Sequence, residues 1–300
     1  MQPRQTFAER AASALHRASA TEKAVIRFFQ DNREEVLVAS AAELAAKIGT
    51  SDATVIRATQ ALGYSGLDDL RRHLASELRT SLSPAARLAR TLGAVKRDVA
   101  SALGMMINIH VEALEALRRD IGTSQFQAAV DVLAKARRVV VFGLGPSSAV
   151  AEYFAIQLGR FGVESATLTQ TGLLLADGLH RLKRGDLVVM LAYSRVYPEL
   201  ATLLAQADRF GLAKILLTDT LSHALRKKVD LILPVARGNA DWFSTHTATL
   251  GLLEALLVGL AAKRPSETLA SLKNLNMLRS ELAGEKMALP AVGPRQGKPR

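Results

Sequence analysis

The sequence contains no cysteine among its 300 residues. Disulfides, thiolate nucleophiles and cysteine-ligated zinc or iron–sulfur sites all need that side chain, so all of them are excluded. Long hydrophobic runs are missing too: the longest candidate, residues 248–262, is interrupted by Glu254. It falls short of the roughly 18 apolar residues of a membrane span, and the N-terminus is charged where a signal peptide is apolar. We therefore expect a cytoplasmic protein that does not associate with membranes.

The net charge is positive, but the excess is not concentrated in a segment that would identify a binding partner. Basic residues outnumber acidic ones by 39 to 28, a net of +11, which favours an anionic partner. Residues 1–90 hold 13 basic and 10 acidic side chains, whereas residues 286–300 hold 4 basic and no acidic ones. We expect 286–300 to be a disordered basic tail, because it is rich in proline and lacks apolar periodicity. A prediction of nucleic-acid binding must therefore rest on a motif.

The first 80 residues predict short helices separated by polar turns. Leu44 and Ile48 have helical spacing, Gly49 suits the left-handed end of that helix, and Ser51 suits the N-cap of the next. A helix, a turn of about three residues and a second helix are the layout of a helix-turn-helix motif. By spacing alone, a small helical bundle with solvated polar faces remains an equal alternative.

The second helix, predicted over residues 52–62, has one apolar and one polar side. Val55, Ala58 and Leu62 share the inward face, whereas Thr54, Arg57 and Gln60 project from other faces. Arginine can bind guanine in a bidentate manner, glutamine can bind adenine, and hydroxyls and helix N-terminal amides can hold phosphate. These residue types suit a DNA-reading helix.

The stretch SAAELAAKIGTSDATVIRATQALGYSGLDDLRRHL resembles the N-terminal domain of the RpiR-type (MurR/RpiR) bacterial transcriptional regulators. The matching residues are Ser40, Glu43, Leu44, Ala45, Gly49, Ser51, Ala53, Thr54, Val55, Arg57, Leu62, Gly63, Tyr64, Gly66 and Leu67. The resemblance implies binding of double-stranded, palindromic operator DNA through Ser51, Thr54, Val55, Arg57, Gln60, Arg71 and Arg72. The sequence departs from the family in having no basic residue at 58–61, which leaves the three arginines as the main charges.

The second half predicts a parallel sheet. Five short apolar runs alternate with helical stretches, at residues 139–143, 165–169, 187–192, 214–218 and 231–235. Such runs between helices indicate right-handed βαβ units with helices on both faces. We therefore predict a multidomain protein: an all-α helix-turn-helix domain, then a three-layer α/β domain with a five-stranded parallel sheet of flavodoxin-like order. The apolar periodicity of residues 103–117 predicts a packing helix that includes His110.

Two loops at the carboxyl ends of these strands are the predicted ligand site, because ligands of such sheets bind there. The first contains Gly143, Gly145, Ser147 and Ser148, and the second contains Ser194, Arg195 and Tyr197. The first loop reads G-x-G-x-x-S instead of G-x-G-x-x-G and the second strand lacks a terminal acid, which argues against a dinucleotide. We expect Tyr197 to pack, and Trp242 and Phe243 to anchor a loop to the core.

Residues 121–285 resemble the sugar isomerase (SIS) domain, which RpiR-type regulators carry after the helix-turn-helix. The resemblance implies effector binding by Gly143, Gly145, Ser147, Ser148, Ser194 and Arg195. In the second loop only Ser194 remains of the family pattern S-x-S-G-x-T, and Arg195 replaces the glycine. Arg195 could grip phosphate or carboxylate, or it could face solvent or pair with Glu199.

We therefore predict a regulator with a helix-turn-helix domain at 1–80, a helical linker and first helix of the second domain at 81–120, an SIS effector and dimerisation domain at 121–285, and the tail. We expect the effector to be a sugar phosphate or a related sugar acid. We expect the assembly to be a homodimer or homotetramer, and we expect no cofactor or metal. Catalysis is not expected, because the candidate groups Glu152, Glu199, Glu254, His180, His223 and His246 form no motif. A phosphosugar isomerase and a non-catalytic sugar-binding adaptor are the alternatives.

Overall fold

The computed structural model describes residues 7–81, 83–95, 98–239 and 242–283. The N-terminal region is helical. Its elements are α1 (Phe7–Leu15), α2 (Ala20–Asp31), α3 (Arg33–Val38), α4 (Ala41–Ile48), α5 (Asp52–Ala61) and α6 (Leu67–Ser81). The predicted tail at 286–300 lies outside the described residues.

Local signals fix the ends of the two motif helices. Ser40 and Glu43 form a reciprocal capping box that starts α4, and Gly49 ends it with a left-handed φ of 75°. The Ser51 hydroxyl then accepts a hydrogen bond from the Thr54 amide at 3.3 Å and starts α5. The predicted helix, turn and helix are confirmed, with both caps at the expected residues.

A small apolar core holds these helices together. Phe7, Ile26, Phe29, Leu44 and Leu70 are fully buried in it, and they come from four different helices. Val55 and Ala58 of α5 are buried in the same core. Burying a large apolar side chain contributes about 1.5 to 3 kcal/mol, so these contacts orient α5 on the other helices.

Three helices lead from this region into the sheet. They are α7 (Pro84–Ala94), α8 (Val99–Asp120) and α9 (Thr123–Lys135). Ser83 caps α7, and Pro84 occupies its first turn, where a missing N–H costs nothing. Asp98 caps α8 by accepting from the amides of Ala100 and Ser101 at 3.1 Å each.

The sheet has five parallel strands in the order β2-β1-β3-β4-β5. The strands are β1 (Arg138–Gly143), β2 (Ser165–Leu168), β3 (Asp186–Leu191), β4 (Ala213–Thr218) and β5 (Leu231–Pro234). Each lies within a residue of its predicted position, and the predicted flavodoxin-like order is confirmed. From β2 at one edge the chain crosses over β1 to β3, so the strand order reverses between β1 and β3. A ligand crevice is expected beyond the carboxyl ends of those two strands.

Helices cover both faces of the sheet and complete three layers. The remaining helices are α10 (Pro146–Arg160), α11 (Leu174–His180), α12 (Pro198–Phe210), α13 (Ser222–Leu225), α14 (Thr247–Lys263) and α15 (Pro265–Ala283). One apolar core includes residues of α9, α10 and α14, and the other includes residues of α11 and α12. Within the described ranges, no helix is long and apolar enough to cross a membrane.

Candidate functional site

The start of α5 presents a small polar surface. Ser51, Arg57 and Gln60 are exposed, as a DNA-reading face requires. Thr54 is mostly buried; its hydroxyl lies 3.0 Å from that of Ser51 and accepts a hydrogen bond from Arg57 Nη2 at 3.2 Å. Thr54 therefore holds the Arg57 guanidinium beside the helix N-terminus. Val55 is fully buried in the core and has no surface to offer DNA, so its predicted contact is corrected to a packing role.

The two arginines of α6 differ in their surroundings. The Arg71 guanidinium donates through Nε to the Val36 carbonyl at 3.0 Å and through Nη2 to the Ala39 carbonyl. It thus satisfies carbonyls that the C-terminal end of α3 leaves open. The Arg72 side chain is 63% exposed and lies 3.6 Å from Asp69. Of the two, Arg72 has the side chain with more surface to offer a phosphate.

A cleft of about 1350 Å³ opens at the carboxyl ends of β1 and β3. Both predicted loops line it, and so do the chain after β5 and helices α7 and α8. The lining includes Arg87, His110, Leu144, Gly145, Ser147, Ser194, Arg195, Tyr197, Glu199, Arg237, Phe243, Thr245 and His246. The strand-end rule therefore predicted where the cleft lies, but it identified only two of the segments that line it.

The first loop brings backbone close to the start of α10. A Cβ on Gly143 would clash with the Ser147 carbonyl oxygen, so a side chain there would force α10 away from β1. Gly145 has a φ of 56°, which favours glycine. Ser147 is buried at the cleft wall, whereas the Ser148 hydroxyl donates to the Gly145 carbonyl at 2.7 Å.

The second loop is a tight turn centred on Ser194, whose φ is 66°. The Arg195 amide donates to the Tyr193 carbonyl at 2.7 Å across this turn, and the Ser194 amide donates to the Thr220 hydroxyl at 3.1 Å. Arg195 is exposed, with its guanidinium 5.6 Å from the centre of the Tyr197 ring. Glu199 instead accepts from the Gly172 amide at 3.3 Å. Tyr197, predicted to pack, is 45% exposed and lines the cleft.

Arg237, which the sequence reasoning missed, follows β5 and forms the centre of a polar network. Its Nε lies 3.2 Å from Asp219 Oδ2, and its Nη2 donates to the Ser194 hydroxyl at 3.2 Å. The guanidinium stacks on the Tyr193 ring at 4.3 Å. The available signal was its place just beyond the end of a strand, because β5 obeys the same strand-end rule.

Tyr193, which is buried, and His246, which is partly buried, complete the floor of the cleft. The Tyr193 hydroxyl lies 2.9 Å from the Thr249 hydroxyl, and the Tyr193 and His246 rings meet edge to face at 5.6 Å. Burial raises the pKa of Tyr193 above its usual value. Burial, together with the nearby Arg237 charge, lowers the pKa of His246 to about 4. Both side chains are therefore neutral at physiological pH.

Helix α7 roofs the cleft. Arg87 Nη1 donates to the Ser244 hydroxyl at 3.0 Å, and the Phe243 amide donates to the Thr91 hydroxyl at 2.9 Å. The prediction that Phe243 anchors its loop to the core is wrong, because half of its side chain is exposed and it lines the cleft. His110, predicted only to pack, also reaches the cleft.

Two family models match the chain. Residues 6–81 match the helix-turn-helix domain of the rpiR family, and residues 132–259 match the SIS domain. The chain thus combines a helix-turn-helix domain with a sugar isomerase domain in that order.

Solved structures share this fold. The RpiR transcription factor of Sphaerobacter thermophilus (sugar isomerase domain) is 24% identical over 59% of this chain and 99% of its own, with a TM-score of 0.55. The Vibrio vulnificus NanR protein complexed with ManNAc-6P is 21% identical over 92% of this chain and 99% of its own, with a TM-score of 0.56. The c3406 protein of E. coli CFT073, also solved as a complex, is 21% identical over 59% and 98%, with a TM-score of 0.50. In both matched domains and in their order, the chain is similar to the RpiR-type transcriptional regulators.

Proposed function

We propose that this regulator binds a sugar phosphate or a related acidic metabolite in the cleft and that this binding changes its affinity for operator DNA. The observation that carries the proposal is that α7, which follows the last helix of the DNA-binding domain, also roofs the cleft. An effector in the cleft therefore touches the element that leads to the DNA-binding domain. The ligand named for NanR, ManNAc-6P, supports an effector of this class.

The proposed mechanism requires at least two copies of the chain, as a homodimer or a homotetramer. Two DNA-binding domains would read the half-sites of a palindromic operator, spaced by about 34 Å or a multiple of it. Effector binding would change the relative placement of these domains and hence the fit to both half-sites. Since the operator is chromosomal, the proposal includes a cytoplasmic location.

The proposal treats the cleft as a sensor without catalytic activity. A phosphosugar isomerase stays the second candidate, because Glu199 and His246 both line the cleft and could serve as base and proton carrier. In the proposed function neither has that role. Turnover of an aldose or ketose phosphate, followed by mass spectrometry of the product, distinguishes the two.

Selection of genomic fragments by the full chain, followed by fluorescence anisotropy on the selected site, tests the proposal. We expect Arg57→Ala to weaken binding of that site by at least about tenfold, because a bidentate arginine contact to guanine contributes about 1 to 3 kcal/mol. Arg209→Ala, which removes an exposed arginine from α12, is the matched control and should bind as wild type does. Equal affinity of Arg57→Ala and wild type, or selection of no sequence, would contradict the proposal.

A further inference from the structure

We propose that the acidic group recognised in the cleft is a carboxylate and that Arg237 is the residue that recognises it. This inference rests on the proposed function, since it names the chemistry of the effector at the same cleft. It goes beyond the resemblance, because Arg237 lies outside both loops of the family pattern.

The second loop has already used two backbone donors that a phosphate cup would offer. The Ser194 amide donates to Thr220, and the Arg195 amide donates to Tyr193. In the first loop, the amides of Ser147 and Ser148 donate to the carbonyls of Leu144 and Gly145 at 3.2 and 2.9 Å. A phosphate that entered the cleft would have to break several of these hydrogen bonds before the same donors could bind its oxygens.

The Arg237 guanidinium, by contrast, keeps donor capacity toward the cleft. Its side chain is 13% exposed and lines the cleft, and its Nη1 group has no hydrogen-bond partner among the described residues. Asp219, Ser194 and the Tyr193 ring hold it from three directions, so its plane is set before a ligand arrives. A fixed planar fork of this kind suits a planar carboxylate.

A second buried donor beside Arg237 is also left unsatisfied. The Thr245 amide donates to the Arg237 carbonyl at 3.2 Å, which keeps the two residues together. The Thr245 hydroxyl is buried, has no partner in the described part of the chain, and belongs to the cleft lining. An unsatisfied buried hydroxyl is costly, so a small shift that brings it to a ligand oxygen would be favourable.

The charges around the cleft match a single negative charge. Among the lining residues, Arg87, Arg195 and Arg237 contribute three positive charges and Glu199 contributes one negative charge. Asp219, which does not line the cleft but is paired with Arg237, contributes a second negative charge. His246 adds none near neutral pH, because burial and Arg237 hold its pKa at about 4. The five charged side chains named here thus leave a net of +1, which a carboxylate neutralises and a phosphate dianion exceeds.

Isothermal titration of the full chain with matched sugars tests the inference. The carboxylate probes are D-gluconate and D-glucuronate, the phosphate probes are D-glucose 6-phosphate and D-arabinose 5-phosphate, and D-glucose is the neutral control. We expect at least one carboxylate probe to bind saturably, and each phosphate probe to bind at least about tenfold more weakly.

Arg237→Lys keeps the positive charge beside Asp219 but removes the planar guanidinium donors. It should therefore weaken binding of the carboxylate probe by about tenfold or more. Arg209→Lys on α12 makes the same exchange at an exposed site and should bind as wild type does. If Arg237→Lys does not fold, the double variant Asp219→Asn with Arg237→Gln removes both charges of the buried pair and should also lose the carboxylate. Melting curves without ligand verify that each variant is folded.

The inference is overturned if no carboxylate probe saturates, if a phosphate probe binds as tightly, or if Arg237→Lys retains wild-type affinity. Operator affinity is measured on the same samples. Operator binding that responds to a phosphate sugar would leave the proposed function standing and remove the inference alone. No operator binding, with turnover of a phosphate sugar, would remove the proposed function itself.

Discussion

Arg57 and Arg71 look alike in the sequence, because both follow the turn of the helix-turn-helix and both can contact phosphate. In the structure Arg57 is exposed on α5, whereas Arg71 is held by two backbone carbonyls at the end of α3 and by Asp68. The first arginine is available to DNA, and the second keeps the helices in place. Arg71 therefore acts on DNA binding chiefly through the geometry of the domain.

Substitution of each arginine separates these roles. We expect Arg71→Ala to lower the unfolding midpoint of the chain, since a hydrogen bond to a charged group contributes about 1.5 to 3 kcal/mol. Arg57→Ala should leave that midpoint within error of wild type. Urea unfolding followed by circular dichroism measures both. A wild-type midpoint for Arg71→Ala, together with a loss of operator affinity as large as that of Arg57→Ala, would contradict the assignment.

Residue roles were predictable where they depend on neighbours in the chain. Ser51 and Gly49 were identified as caps because a cap acts on residues at most a few positions away. Arg237 was missed because its partners Asp219 and Ser194 lie 18 and 43 positions away. Nothing in the local sequence distinguishes it from a solvent-exposed arginine after a strand.

At the scale of elements, α7 is more than the connector that its position between the domains suggests. Its two contacts with the loop before α14 join residues 157 and 152 positions apart, which no local pattern could predict. The strands, by contrast, were predicted within a residue, because each is an apolar run between helical stretches and a buried strand needs no distant information.

A disulfide can test whether α7 transmits the signal. Thr91→Cys with Phe243→Cys places a pair at the contact between the Thr91 hydroxyl and the Phe243 amide, in a chain with no cysteine of its own. Oxidation should raise the melting temperature and change operator affinity by at least about fivefold, the lower range of typical coupling between sites. Anisotropy with and without reductant measures the change.

The two single-cysteine variants are the controls and should be insensitive to reductant. If the oxidised pair melts higher but binds the operator as its reduced form does, α7 is a static roof and does not couple the cleft to DNA.

At the scale of the whole molecule, α8 carries an apolar row on its outer side. Val99, Leu103, Ile107, Val111 and Leu114 recur every three or four residues and are 87, 71, 50, 52 and 41% exposed. The sequence periodicity predicted an apolar helix face, but it could not show that the described residues leave this row exposed. A continuous exposed apolar row is typical of a protein interface.

We expect this row to contribute to self-association. Leu103→Glu combined with Ile107→Glu should shift the chain toward monomer and weaken operator binding, because a monomer engages one half-site only. Sedimentation velocity measures the assembly. Leu282→Glu, which changes an exposed leucine near the end of α15, is the control and should leave the assembly unchanged. An unchanged sedimentation coefficient of the double variant would place the interface elsewhere.

The chain has a single tryptophan, Trp242, which immediately precedes Phe243. Its neighbour's amide is the group that ties the loop to Thr91 of α7. Indole emission depends on the polarity around the ring, and in this chain all of it comes from a point next to the roof of the cleft. The protein therefore contains its own optical reporter, and opening of the roof can be followed in the unlabelled wild-type chain, in solution and in real time.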